Sequence, residues 1–143
     1  MEALAKLRAA MAEKKLTFGA LSKSVGRSPV YLAAVLQGQQ RLNPPEAEKL
    51  ASALGGGPEA VAALTSWPVR TEFPITTDPF KYRLLEIVGV YGDALRAMAN
   101  EMYGDGIMSA IDFTMDVEKV TGKEGEPRLK ITMSGKWLPY KQF

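Results

Sequence analysis

The run IDFTMDVEKVTGKEGEPRLKITM, residues 111–133, decides the fold class of this 143-residue chain. Ile111, Phe113, Met115 and Val117 alternate with Asp112, Thr114, Asp116 and Glu118, which is the period of a strand buried on one face. TGKEGEP supplies a turn, after which Leu129, Ile131 and Met133 alternate with Arg128, Lys130 and Thr132 in a second strand. The polar face of the first strand is acidic and that of the second basic, so antiparallel pairing sets opposite charges across from each other. A hairpin is predicted in a chain whose remaining periodicity is helical, and the fold class is therefore α+β.

Upstream of the hairpin, Asp78 followed by Pro79 is a helix start, and the pattern stays helical from Phe80 to Tyr103 with Leu85, Val88, Leu95, Met98 and Met102 apolar. Gly89 and Gly92 interrupt it, marking either a close approach of another helix or a break between two helices. Before this, TSWPVRTEFPITTDP (65–79) holds three prolines and no helical period. The chain thus divides into a helical domain over 1–66, an extended linker over 67–79 and a C-terminal domain over 80–143.

The front domain reads as short capped helices. Leu4, Leu7 and Met11 mark one face of the first, Thr17 caps the second, Ser28 with Pro29 opens the third, and NPPEAEKLASAL repeats that cue before GGG. GALSKSVGRSPVYLAAVLQGQ resembles the helix-turn-helix of repressors, with Gly26 in the turn. In that reading residues 29–36 would enter the major groove, yet PVYLAAVL offers neither charge nor amide for base edges. Arg27, Gln37, Gln39, Gln40 and Arg41 only flank it, so a packing domain with an inherited shape is expected, and no nucleic-acid partner.

Composition narrows the function classes. The net charge is +2, with eight Lys/Arg against five Asp/Glu over 1–66 and ten against eleven over 67–143. That is too even for broad binding to nucleic acid or membrane. The chain has no Cys and no His, so disulfides are excluded and zinc is disfavoured. The opening MEALAKLRAAMAEKKL carries Glu2 and Glu13 against a transit peptide, and no apolar run suits a signal or a membrane span. A soluble cytoplasmic protein is expected.

Two strands alone are marginal in water and leave open edges. With no other good strand in the chain, the hairpin is expected to find its partners in a second copy.

TTDPFKYRLLEIVGVYGDALRAMANEMYGDGIMSAIDFTMDV, followed by GKWLPYKQF at the C-terminus, closely resembles the cyanase (cyanate hydratase, cyanate lyase) family, most strongly over 74–143. The resemblance implies a helical front domain shaped like a DNA-binding module but not used as one. Behind it would stand a helix and β-hairpin whose strands interlock between two chains. It also implies a homodecamer, a pentamer of dimers, with active sites where dimers meet. The reaction implied is cyanate with bicarbonate, giving carbamate and carbon dioxide, after which carbamate yields ammonia and a second carbon dioxide. Bicarbonate is then a co-substrate, and no metal or organic cofactor is implied. The family's catalytic arginine, glutamate and serine match Arg83 and Glu86 in YRLLE and Ser109 in GDGIMSA; pocket-lining residues match Ile107 and Leu138.

Chemistry gives these residues roles. Two anions brought to about 4 Å repel by about 4 kcal/mol at an effective dielectric near 20, so a site for both needs cations or oriented donors. Arg83 presents a planar fork suited to bicarbonate or a carboxylate-like adduct. Glu86, three residues on, shares its helix face and is expected to orient it, although the same spacing also makes an ordinary surface pair. Ser109 has no histidine to activate it as a nucleophile, which leaves it as a donor to a bound anion beside the backbone of Gly104 and Gly106. The competing readings are a helix-turn-helix transcriptional regulator with a C-terminal dimerisation domain, and a catalytically dead scaffold of the same fold.

Overall fold

The structure, a computed structural model, describes residues 2–68 and 78–143. Six helices precede a hairpin: α1 (Glu2–Glu13), α2 (Phe18–Val25), α3 (Pro29–Leu36), α4 (Pro44–Leu54), α5 (Pro58–Thr65), α6 (Pro79–Tyr103), β1 (Gly106–Thr121) and β2 (Pro127–Pro139). Most of the predicted linker, residues 69–77, lies outside the described residues. The chain forms two compact units, Met1–Arg70 with Met115–Thr132, and Thr71–Thr114 with Met133–Phe143.

In the first unit the caps named from sequence stop and start the helices. Thr17 Oγ1 accepts from Ala20 N at 3.1 Å, Ser28 Oγ from Tyr31 N at 3.2 Å, and Asn43 with Glu46 forms a reciprocal capping box. Gly26, at φ 86°, ends α2 in a left-handed conformation that a side chain rarely adopts. α5 begins at Pro58 just past the glycines and was not read as a separate helix.

The buried core runs from Leu7 through Leu21, Leu32, Leu36, Leu50 and Leu64, so α1 to α5 all contribute to it. Burying each such leucine is worth about 1.5–3 kcal/mol. α3 spends Leu32, Val35 and Leu36 on this core. The helix that would read bases in a repressor buries these three side chains in the core of the unit.

α6 differs in kind. Asp78 caps it through Phe80 N and Lys81 N, at 2.8 and 3.2 Å, and it runs unbroken for 25 residues to Gly104. Of the two possibilities at Gly89 and Gly92, a break is therefore excluded, and none of the described residues approaches the missing side chain of Gly89. No residue of α6 is buried.

β1 and β2 pair as a two-stranded sheet. Lys130 Nζ lies 3.5 Å from Glu118, one of the cross-strand charge pairs expected from sequence. The first strand starts at Gly106, five residues before the alternation used to predict it, and Ile111 is 98% exposed rather than buried. The ladder explains this. Gly122 N donates to Glu126 O at one end and Tyr140 N to Asp105 O at the other. From 105 to 122 is seventeen steps and from 126 to 140 fourteen, so β1 carries three extra residues that must bulge out.

Candidate active site

α6 delivers Arg83 and Glu86 on one face, and Arg83 Nη1 donates to Glu86 Oε2. Both side chains stand well out in solvent in the single chain, and the guanidinium lies 5.6 Å from the Tyr82 ring. An exposed pair of this spacing stabilises a helix by only about 0.3–0.5 kcal/mol, and arginine preceding glutamate is the weaker order against the helix dipole. Helix stability is therefore a poor reason for the pair. What the contact does is set the Arg83 guanidinium against the Glu86 carboxylate.

Ser109 sits in the bulged part of β1 and, at 6% exposure, is the buried polar residue of the described chain. Its Oγ accepts from Ile111 N at 3.1 Å and from Asp112 N at 2.9 Å. The hydroxyl thus serves two backbone amides in the stretch where β1 carries its surplus residues. Both oxygen lone pairs are thereby used, and the one capacity left to the hydroxyl is to donate its proton. A serine that accepts from the amides two and three residues on forms a side-chain turn, a local pattern that serine favours.

Ile107 and Leu138, the expected lining residues, are 46% and 39% exposed. Leu138 O lies against Gly106, next to Ile107, so both belong to the corner that holds Ser109. Sequence reasoning missed the third member of that corner, Trp137, whose ring stacks on Tyr103 with centroids 5.2 Å apart.

The chain brings Arg83 to Glu86, and Ser109 to the corner of Ile107 and Leu138, but does not close a pocket around all of them. Residues 83 to 103 span about 30 Å of helix axis before the turn into β1. A cavity of about 320 Å³ does form, between α1 and α5 against Lys6, Leu7 and Gly55–57, and it holds none of these residues.

Residues 74–142 match the model of the cyanate lyase C-terminal domain, and residues 3–64 match a helix-turn-helix domain. A cyanate hydratase of Synechococcus sp. (strain CC9311) is 47% identical over 97% of this chain and 93% of its own length. One from Burkholderia ambifaria is 44% identical over 94% and 87%. The crystal structure of cyanase from T. urticae superposes with a TM-score of 0.86 at 35% identity, covering 96% of both chains. Likeness at this level over nearly the whole length places the chain among lyases with a helical, repressor-like front and an α6–hairpin back. The chain belongs to the cyanate lyase family.

Proposed function

We propose that the protein decomposes cyanate with bicarbonate at sites completed by other copies of the chain. A bicarbonate oxygen attacks the cyanate carbon, and nitrogen takes up protons. Loss of carbon dioxide from the adduct leaves carbamate, which falls apart to ammonia and a second carbon dioxide. For the first stage, one bicarbonate, one cyanate and one proton balance one carbamate and one carbon dioxide.

The observation that carries this reading is the saturated oxygen of Ser109. A serine whose lone pairs already hold Ile111 N and Asp112 N is unsuited to attack, but its proton is free for an anion. The nucleophile is then a substrate, and bicarbonate is the anion that supplies one. Arg83, oriented by Glu86, offsets the repulsion between the two anions, and Ile107 and Leu138 line the pocket and thin its water. Arg83, Glu86 and Ser109 are the catalytic residues of this scheme, and it uses neither metal nor organic cofactor. The acceleration comes from holding both anions in an oriented, partly dry site.

The same geometry supports assembly. α6 buries nothing, Leu84, Leu85, Val88, Val90 and Leu95 are exposed along it, and both hairpin edges are open. A homodecamer built as a pentamer of dimers, with strands interlocked in each dimer, covers these surfaces and brings Arg83 of one copy toward Ser109 of another. The domain limits 1–66, 67–79 and 80–143 and a cytoplasmic location belong to the same proposal; no helix of the described residues is long and apolar enough to cross a membrane.

The test is ammonia release from cyanate in buffer stripped of carbon dioxide, with and without bicarbonate. Release that requires bicarbonate is the expected result. Release without it would remove bicarbonate as nucleophile, and no release from a well-folded oligomer would favour a scaffold. The helix-turn-helix match over 3–64 supports a second reading, a DNA-binding regulator. Salt-sensitive binding to duplex DNA would favour that reading.

A further inference from the structure

We propose that Trp137 is a positioning residue that pins the Ser109 turn in register, and that it does so by shape rather than by hydrogen bonding. The consequence for catalysis rests on the reading of Ser109 given above; the pinning itself does not.

A strand with three surplus residues has slack. Nothing in the ladder alone prevents the bulge from migrating along β1, and each one-residue shift would turn the Ser109 side chain to the other face. Two reciprocal fits oppose this. Where β2 presents Gly135, β1 presses in: a Cβ on Gly135 would collide with Ser109 O and come within 2.5 Å of Met108 Cγ. Where β1 presents Gly106, β2 presses in: a Cβ there would lie 2.8 and 2.9 Å from Trp137 Cζ2 and Cε2, and 2.6 Å from Leu138 O. Residues 135 and 137 share one face of β2. That face therefore has a gap where the bulge enters and a ring where β1 has no side chain. A slip by one residue would set the ring against a side chain and fill the gap, so both fits are lost together.

The far side of the indole is held as well. It stacks on Tyr103, the last residue of α6, at 28° between planes. One ring thus ties the helix end, the first residue of β1 and its own strand. Among the described residues Trp137 Nε1 is buried without a hydrogen-bond partner, and the contacts named above are all made by ring carbons or by the ring face. An aromatic ring without the N–H should keep the stack on Tyr103 and with it most of the fit.

The experiment compares the full-length protein with Trp137→Phe and Trp137→Ala by hydrogen exchange in peptides covering Ile111 and Asp112, whose amides Ser109 holds. The steady-state constants for cyanate are measured on the same samples. Trp137→Ala should speed exchange at these amides by about tenfold or more while peptides from the α1–α5 core stay protected. Its kcat should fall more than its KM rises, and Trp137→Phe should restore both readouts to within about twofold. If Trp137→Ala fails to assemble, Gly106→Ala, which pushes the ring off from the other side, is read at the same amides.

Unchanged exchange at Ile111 and Asp112 would overturn the proposal, whatever the activity. So would a Trp137→Phe variant as impaired as Trp137→Ala, since the N–H would then matter, or exchange quickened equally across the whole chain. Quickened exchange confined to the turn with turnover intact would uphold the pinning and count against Ser109 as a catalytic residue.

Discussion

The helices α1 to α5 and the segment from α6 onward are of similar length and similar apolar content, but they dispose of their hydrophobic side chains in opposite ways. Every residue of the buried core lies between Leu7 and Leu64, whereas among the described residues the exposed large apolar side chains, apart from Trp67, begin at Phe80. The front satisfies itself. The back, with a 25-residue helix that buries nothing and a two-stranded sheet, is stable only when covered. The front closes a core of its own, and the back leaves its apolar surface open.

The sharpest way to use this contrast is to damage each side and ask what fails. Arg83→Ala should cost turnover on the order of 10³-fold, about 4 kcal/mol of transition-state stabilisation, with the sedimentation of the assembly unchanged. Near-normal steady-state activity in that variant would remove Arg83 from the mechanism.

Leu50→Ala, at a fully buried position of the front core, should cost about 2–5 kcal/mol in denaturant titrations, by the same amount at every protein concentration. Leu95→Asp, on the exposed flank of α6, should leave the front folded but shift the sedimentation profile to smaller species and make the melting temperature depend on concentration. If Leu95→Asp kept the native size, the contrast between a self-sufficient front and a dependent back would fail.

The smallest effect concerns the hairpin tip. The Glu126 carboxyl is held below its usual range, chiefly by its own backbone amide, then by Glu124 N, with a lesser share from Arg128. A depressed folded-state pKa means that the contribution is present above the ordinary carboxylate range and lost as pH falls through the lowered value. Protection of the Glu124 amide relative to its intrinsic exchange rate at the same pH, followed from about pH 6 to about pH 3, should therefore fall at the acid end while the front core stays protected.

How far the sequence could be read follows from where local chemistry decides the structure. Thr17, Ser28, Asn43 and Asp78 cap helices because a side-chain oxygen beside free amides has a local reason to be there, and no distant contact is needed to see it. The hairpin was legible because TGKEGEP and two alternating runs are also local. Gly89 and Gly92 left two readings open because each costs a helix only about 1 kcal/mol, and the long helix absorbs that without breaking.

The start of β1 was illegible for a different reason. GDGIMSA does not alternate, since three surplus residues interrupt the parity, and only the partner strand reveals the surplus. The pairing of Arg83 with Glu86 was visible as a spacing. The proposed union of that pair with Ser109 was not, because the described residues of one chain do not bring them together. Trp137 escaped notice because a tryptophan at a strand end looks like any other apolar residue until the glycine opposite it is known.

The placement of the core also bears on how the chain is made. Because α1 to α5 close their core from residues before 66, that unit can fold on the ribosome while the rest is still in the exit tunnel. The exposed helix and open-edged hairpin emerge after it, from a chain whose first half is already compact, so the apolar surface they leave open meets a folded neighbour rather than an unfolded one. The order of the two halves along the gene thus works as a safeguard against aggregation.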